Sequence, residues 1–141
     1  MKNLISSKHK GSLGDILGTA MCIVIMLTLL TVSIQYMKIL TVRRNIEALA
    51  RGYLLVLETT GELSAPHEDE LSDSLRSMGF SNFTITYNDS NVARTFGEMV
   101  SLDIDIRAAA AELGLTRAAG FVRDSYDFKI HLVSISKAAP P

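Results

Sequence analysis

Cysteine is nearly absent from this chain of 141 residues: Cys22 is the one example. A single thiol excludes an intrachain disulfide framework and a cysteine-rich zinc site. A basic surplus is also missing. Fourteen Lys and Arg stand against 15 Asp and Glu, a net charge of −1, so a general nucleic-acid binder is excluded for want of charge to neutralise phosphates. No HExxH, GxSxG, phosphate-loop or GxGxxG pattern occurs, and His9, His67 and His131 lie far apart in the sequence. The residues give no reason to expect an enzyme, and they imply no cofactor and no metal.

The most informative absence is that of charge between Ile16 and Met37. These 22 residues carry none, and 16 of them are hydrophobic. They account for a mean hydropathy of +0.23, high for a soluble domain of this size. As a helix they would span about 33 Å, enough for a hydrocarbon core of about 30 Å. Thr19, Thr28, Thr31 and Ser33 fit such a helix because their hydroxyls can bond back to carbonyls one turn earlier. A buried core helix of this length would show a polar face, which is missing here. A cleaved secretory signal would have an apolar region of about 7–15 residues and a small-x-small site. The expectation is a retained membrane anchor. Lys2, Lys8 and Lys10 precede it and Lys38, Arg43, Arg44 and Arg51 follow, a balance that does not decide orientation.

The helical pattern continues past the anchor. No proline falls between Lys38 and Glu58, and Ile39, Val42, Ile46, Leu49, Tyr53 and Val56 recur at steps of 3, 4, 3, 4 and 3, an apolar stripe down one face. The stripe can pack against the chain's own domain or against neighbouring copies. The pattern predicts one helix from about Gly14 to Thr60, stopped at Gly61. Ser64 and Pro66 suit the start of a second helix, with Leu71, Leu75 and Met78 on one face and Gly79 as its end. The run His67-Glu68-Asp69-Glu70 reads as acidic bias in a first helical turn rather than as metal ligands.

Beyond Gly79 the period changes to two. Phe83, Ile85 and Tyr87 form one expected strand, and Asn88-Asp89-Ser90-Asn91 a turn. Val100, Leu102, Ile104 and Ile106 form a second strand, alternating with Ser101, Asp103, Asp105 and Arg107. Ala108 to Leu115 is compatible with a short helix, and Gly114 and Gly120 bracket a crossing segment. Tyr126, Phe128, Ile130 and Leu132 form a third strand. There the phase slips to Val133 and Ile135, which predicts a bulge. Asp103 and Asp105, about 7 Å apart on one strand face, suit a cation or a carboxylate pair, and a solvated strand face explains them equally well. Asn82-Phe83-Thr84 and Asn88-Asp89-Ser90 match glycosylation acceptors, a pattern short enough to arise by chance.

The order Lys8-His9-Lys10-Gly11-Ser12-Leu13-Gly14-Asp15, followed by the uncharged segment, an amphipathic extension and a small sheet, resembles the pilin and pseudopilin class. Within it the chain is most similar to TadE-like minor pseudopilins of tight-adherence (Tad) pili, in a Gram-positive group with a Lys-Gly leader and Asp in place of Glu. That resemblance implies a prepilin peptidase acting at Gly11 and Ser12 on the cytoplasmic side. It also implies a filament in which Asp15 pairs with a neighbour's new amino terminus and fixes the register. Cleavage after Gly11 puts Asp15 at +4; cleavage after Lys10 puts it at +5. Independently of the family, a carboxylate packed among apolar helices is costly unless an ammonium offsets it.

The expected fold is α+β and pilin-like: a long N-terminal helix, a short helix and a small, antiparallel sheet of about three strands. Residues 1–11 form a basic leader, 12–37 the transmembrane helix, 38–61 its amphipathic extension, 62–137 a small extracytoplasmic domain and 138–141 a tail. Residues 1–15 carry +2, and the chain from Lys38 carries 11 basic against 14 acidic side chains, or −3. The functional expectation is a non-enzymatic, single-span subunit of a Tad or type IV-like pilus or secretion filament, N-terminus in the cytoplasm. Its expected partners are the membrane, other pilin-like subunits, the assembly platform and the peptidase. The alternative is a permanently anchored accessory protein of a secretion or conjugation system.

Overall fold

A computed structural model describes residues 13–115 and 122–138. Its elements run α1 (Leu13–Thr60), α2 (Ala65–Ser77), β1 (Phe83–Tyr87), α3 (Asn88–Asn91), β2 (Met99–Ala109) and β3 (Ser125–Ile135). The chain divides into two compact units, one ending at Tyr36 and one beginning at Met37. The fold is α+β, with a long helix, a short second helix and a three-stranded antiparallel sheet in the order β1-β2-β3. The leader residues Lys2, Lys8, Lys10, Gly11 and Ser12, together with Gly120 and the end of the tail, lie outside the described residues.

The first unit is the N-terminal part of α1. From Leu13 to Tyr36 no residue is buried, and large apolar side chains such as Leu17 and Met26 are about 71% exposed. Each potential polar defect is closed locally. Thr19, Thr28, Thr31 and Ser33 donate 2.8 Å hydrogen bonds to the carbonyls of Asp15, Val24, Leu27 and Leu29, one turn earlier. Their hydroxyls therefore need no outside partner, which lowers the cost of placing them in hydrocarbon.

The second unit is built around one core. Ile46, Ala50, Leu54 and Leu57 of α1 meet Leu71 and Leu75 of α2, the inward residues Val100, Leu102, Ile104 and Ile106 of β2, and Phe128 and Ile130 of β3. Ile39, Val42, Leu49 and Tyr53 pack partly buried against this cluster. The apolar stripe read from the sequence thus lies within the chain's own domain. Its last member differs. Val56 is half-buried and outside the cluster, while Leu57 is fully buried. A strict 3.5-residue repeat drifts by about 20° per heptad around a straight helix, so the contacting face moves from the expected positions to Ala50, Leu54 and Leu57.

Helix ends follow their local chemistry. Gly61 adopts φ +76° and closes α1 by donating its N–H to the Leu57 carbonyl at 2.8 Å. A Cβ there would lie 2.0 Å from the Arg94 carbonyl oxygen, so this stop admits glycine alone. Ser64 precedes α2 in extended conformation, and its Oγ is bonded to His67 Nδ1 at 2.6 Å instead of capping the helix backbone. Met78 caps α2 rather than joining its buried face and is 40% exposed.

Two strand expectations are corrected. Every partner pair from Met99↔Ile135 to Ala109↔Ser125 keeps one uninterrupted register, so β3 has no bulge. Val133 and Ile135 sit on the outward face and are exposed, while Ser134 occupies the inward position. The inward turn of a polar residue is stabilised by a partner on α1, described below. Residues 108 and 109 continue β2 instead of starting a helix, because they pair with Tyr126 and Ser125. A chain of alanines follows whichever neighbour offers backbone partners.

Candidate functional site

Asp15 occupies the first turn of α1 and is exposed. Its position near the positive end of the helix dipole favours a carboxylate there. Around it Ile16, Thr19, Ala20 and Ile23 form a shallow, mostly apolar surface. The helix is long and apolar enough to cross a membrane, and among the described residues none of its most apolar stretch is buried. This is compatible with a single-pass membrane protein. Cys22 lies exposed within the same stretch as a free thiol. Gly11 and Ser12, the expected processing residues, fall outside the described residues, so only Asp15 of that set has a described position.

The second unit presents the outward face of its sheet. Antiparallel pairing converts the alternating charges into cross-strand pairs. Asp103 Oδ1 lies 2.5 Å from His131 Nδ1, and Arg107 Nε lies 3.0 Å from Asp127 Oδ1. Asp105 stands opposite Lys129 in the register. Asp103 and Asp105, which the sequence leaves open to a cation, are thus each set against a basic or titratable residue of β3. Among the described residues no group of three His, Cys, Asp or Glu side chains converges on one point. Exposed pairs of this kind contribute about 0–1 kcal/mol each, so their main effect is to fix register.

Two buried polar side chains escape sequence reasoning. Asn88, only 2% exposed, adopts φ 50° at the start of α3. Its amide donates to the Gly61 carbonyl at 3.1 Å and to the Val92 carbonyl at 2.7 Å, and its Oδ1 accepts from the Ser101 N–H at 3.2 Å. It joins the end of α1, the loop and β2 beyond the last β1 pair. An Asn so engaged cannot accept a glycan in the folded protein, whereas Asn82 is exposed. The turn-forming Asn-Asp-Ser-Asn run signals a left-handed position but not which carbonyls it meets.

Glu58, 9% exposed, is the other. Ser134 Oγ donates to its Oε1 at 2.6 Å and Lys137 Nζ to its Oε2 at 3.0 Å. The Ser134 hydrogen bond, then that of Lys137, hold its carboxyl below the usual glutamate range against the opposing effect of burial. Tyr53, half-buried between α1 and α2, shifts the other way: burial raises its phenol, and the Glu70 charge adds to the effect. Each is matched to partners within the domain.

No protein-family model matches the chain, and no curated protein or solved structure does either.

Proposed function

We propose that this chain is a non-enzymatic, single-span, pilin-like subunit that assembles into a Tad or type IV-like pilus or secretion filament. The observation carrying the reading is α1. One unbroken helix is uncovered and apolar up to Tyr36, and the same helix then supplies Ile46, Ala50, Leu54 and Leu57 to the core of a small α+β domain. A helix of this kind serves as an anchor while the subunit waits in the bilayer and as a packing surface once it leaves. In this reading the N-terminus is cytoplasmic and the domain from Met37 is extracytoplasmic. Asp15 then pairs with a neighbour's amino terminus and sets the axial register. The hydroxyl back-bonds of Thr19, Thr28, Thr31 and Ser33 support both environments, because they leave no unmet donor in lipid or in a helical bundle.

The test is the mass of the mature N-terminus after expression in a host with a prepilin peptidase. The expected result is loss of the residues up to Lys10 or Gly11, abolished by Gly11→Ala. An intact N-terminus would leave the chain a permanently anchored accessory protein instead. In parallel, Asp15→Ala is expected to insert normally but to lower the amount of filament sheared from cells.

A further inference from the structure

Arg94 sits in the loop between α3 and β2. Its N–H donates to the Gly61 carbonyl at 2.8 Å, and its own carbonyl lies against Gly61, so the backbone is tied to the end of α1. Its side chain differs from those of other arginines in the chain. Arg43, Arg76 and Arg107 each meet a carboxylate oxygen, at 3.0, 3.1 and 3.0 Å. Arg94 Nε is buried without a hydrogen-bond partner, and among the described residues the guanidinium forms no ion pair. A buried donor left unmet is costly, and more so in a charged group.

The unmet group borders a cleft of about 450 Å3 over the outward face of the sheet. Arg94 and Glu98 of the loop, Met99 and Ser101 of β2, and His131 and Val133 of β3 line it. The acceptors around it are engaged elsewhere. Glu98 Oε2 accepts the Thr95 N–H at 2.7 Å, Asp103 is paired with His131, and Asn88 Oδ1 accepts the Ser101 N–H. Beside these polar groups Met99 and Val133 are 69% and 46% exposed. The cleft thus joins an unpaired cation to an uncovered apolar surface.

We propose that this cleft binds a monocarboxylate, its carboxylate on Arg94 and its apolar portion on Met99 and Val133. An arginine carries only donors, so the missing partner is an acceptor, and the planar guanidinium matches the two oxygens of a carboxylate. Nε has already lost its water in the folded chain, so part of the desolvation that binding requires is complete before the ligand arrives. Glu98 narrows the class. The Thr95 N–H first, and the Arg94 charge to a lesser degree, hold its carboxyl below the usual glutamate range, so it is ionised at neutral pH. Arg94 and Glu98 together are then neutral. The second charge of a phosphate would gain no net attraction there and would still lose its water. The cleft lies wholly within the second unit, so the inference goes beyond the pilin-like reading and does not rest on it.

The experiment is an NMR titration of the full chain in uncharged detergent micelles near neutral pH. Sodium butyrate replaces sodium chloride at constant ionic strength while the Arg94 Nε–H and the Ser101 and Val133 amides are followed. The expected result is a saturable shift at all three, with Kd on the order of 1 mM, and binding of inorganic phosphate at least about tenfold weaker. Arg94→Lys keeps the charge but loses the planar fork and should weaken butyrate about tenfold. If that variant fails to fold, Glu98→Gln decides instead. It can still accept from Thr95, and it should tighten butyrate because the opposing charge is gone; unchanged affinity would count against the site. A free acid and a protein's acidic side chain share this chemistry. An acetylated, amidated tripeptide with glutamate between two leucines separates them: binding tighter than butyrate assigns the cleft to a protein side chain, weaker binding to a free acid. The proposal is overturned if butyrate shifts these signals no more than chloride does, if phosphate binds as tightly, or if folded Arg94→Lys binds like wild type. It is equally overturned if butyrate binds only after Asp89→Asn or after removal of residues 139–141, because the chain would then supply the carboxylate itself.

Discussion

The Glu58 carboxylate lies 3.0 Å from the Lys137 ammonium although 79 residues separate them in the chain. The contact closes the second unit, joining the last turn of α1 to the second residue after β3, and the Glu58 carbonyl also accepts the Lys137 N–H. An acidic side chain at a helix C-terminus opposes the helix dipole. The Ser134 hydroxyl and the Lys137 ammonium offset that cost.

Because Glu58 titrates below its ordinary value in the folded state, its contribution is fully present above the unfolded pKa of about 4.3 and is lost as pH falls through the lower native value. Glu112, held down first by the Ser81 hydroxyl, and Glu98, by the Thr95 N–H, act in the same sense. Glu58→Gln should lower the thermal midpoint at neutral pH and flatten its fall in acid. Melting curves at a series of pH values from about 7 down to about 2 check this. An acid limb as steep as that of wild type would show that Glu58 contributes nothing to it.

Gly61 and Gly97 offer a matched pair. Both have positive φ, +76° and +84°, but a Cβ at Gly97 meets open space whereas one at Gly61 strikes the Arg94 carbonyl. Gly97→Ala should cost about 1–2 kcal/mol from backbone strain alone. Gly61→Ala should cost more than about 3 kcal/mol, as the loop carrying Arg94 must also move. Denaturant unfolding of the two variants measures the difference.

Asn88→Ala would take a partner from the Val92 carbonyl and from the Ser101 N–H, whereas the Gly61 carbonyl keeps the Arg94 N–H at 2.8 Å. Each unsatisfied buried group costs about 1–3 kcal/mol, so a loss of at least about 2 kcal/mol is expected. Hydrogen exchange should show the Ser101 amide losing protection first, since its acceptor is the Asn88 side chain.

The drift of the α1 contact face gives the last comparison. Leu57→Ala should destabilise by about 2–5 kcal/mol, as befits a fully buried leucine. Val56→Ala, half-buried and outside the core cluster, should cost less than about 1 kcal/mol. Equal losses at the two positions would contradict the packing described for the end of α1.

The sequence by itself determined the elements whose signal is local. An uncharged run without proline can only be a helix of membrane length or a buried one. The 3.5-residue recurrence carried that helix to Gly61, and the spacing of Leu71 and Leu75 placed α2. The alternation around Val100 to Ile106 set β2 and its inward face. What only the tertiary structure decided were matters settled by partners distant in the chain. Ser134 turns inward, and no bulge forms, because Glu58 waits there to accept its hydroxyl. Ala108 and Ala109 are strand because β3 offers them backbone partners. Asn88 is buried because two carbonyls and an N–H from three segments converge on one amide. Periodicity reports which face a residue takes within its own element. A buried polar group is stabilised by whatever meets it from elsewhere, and that is set by packing, not by spacing.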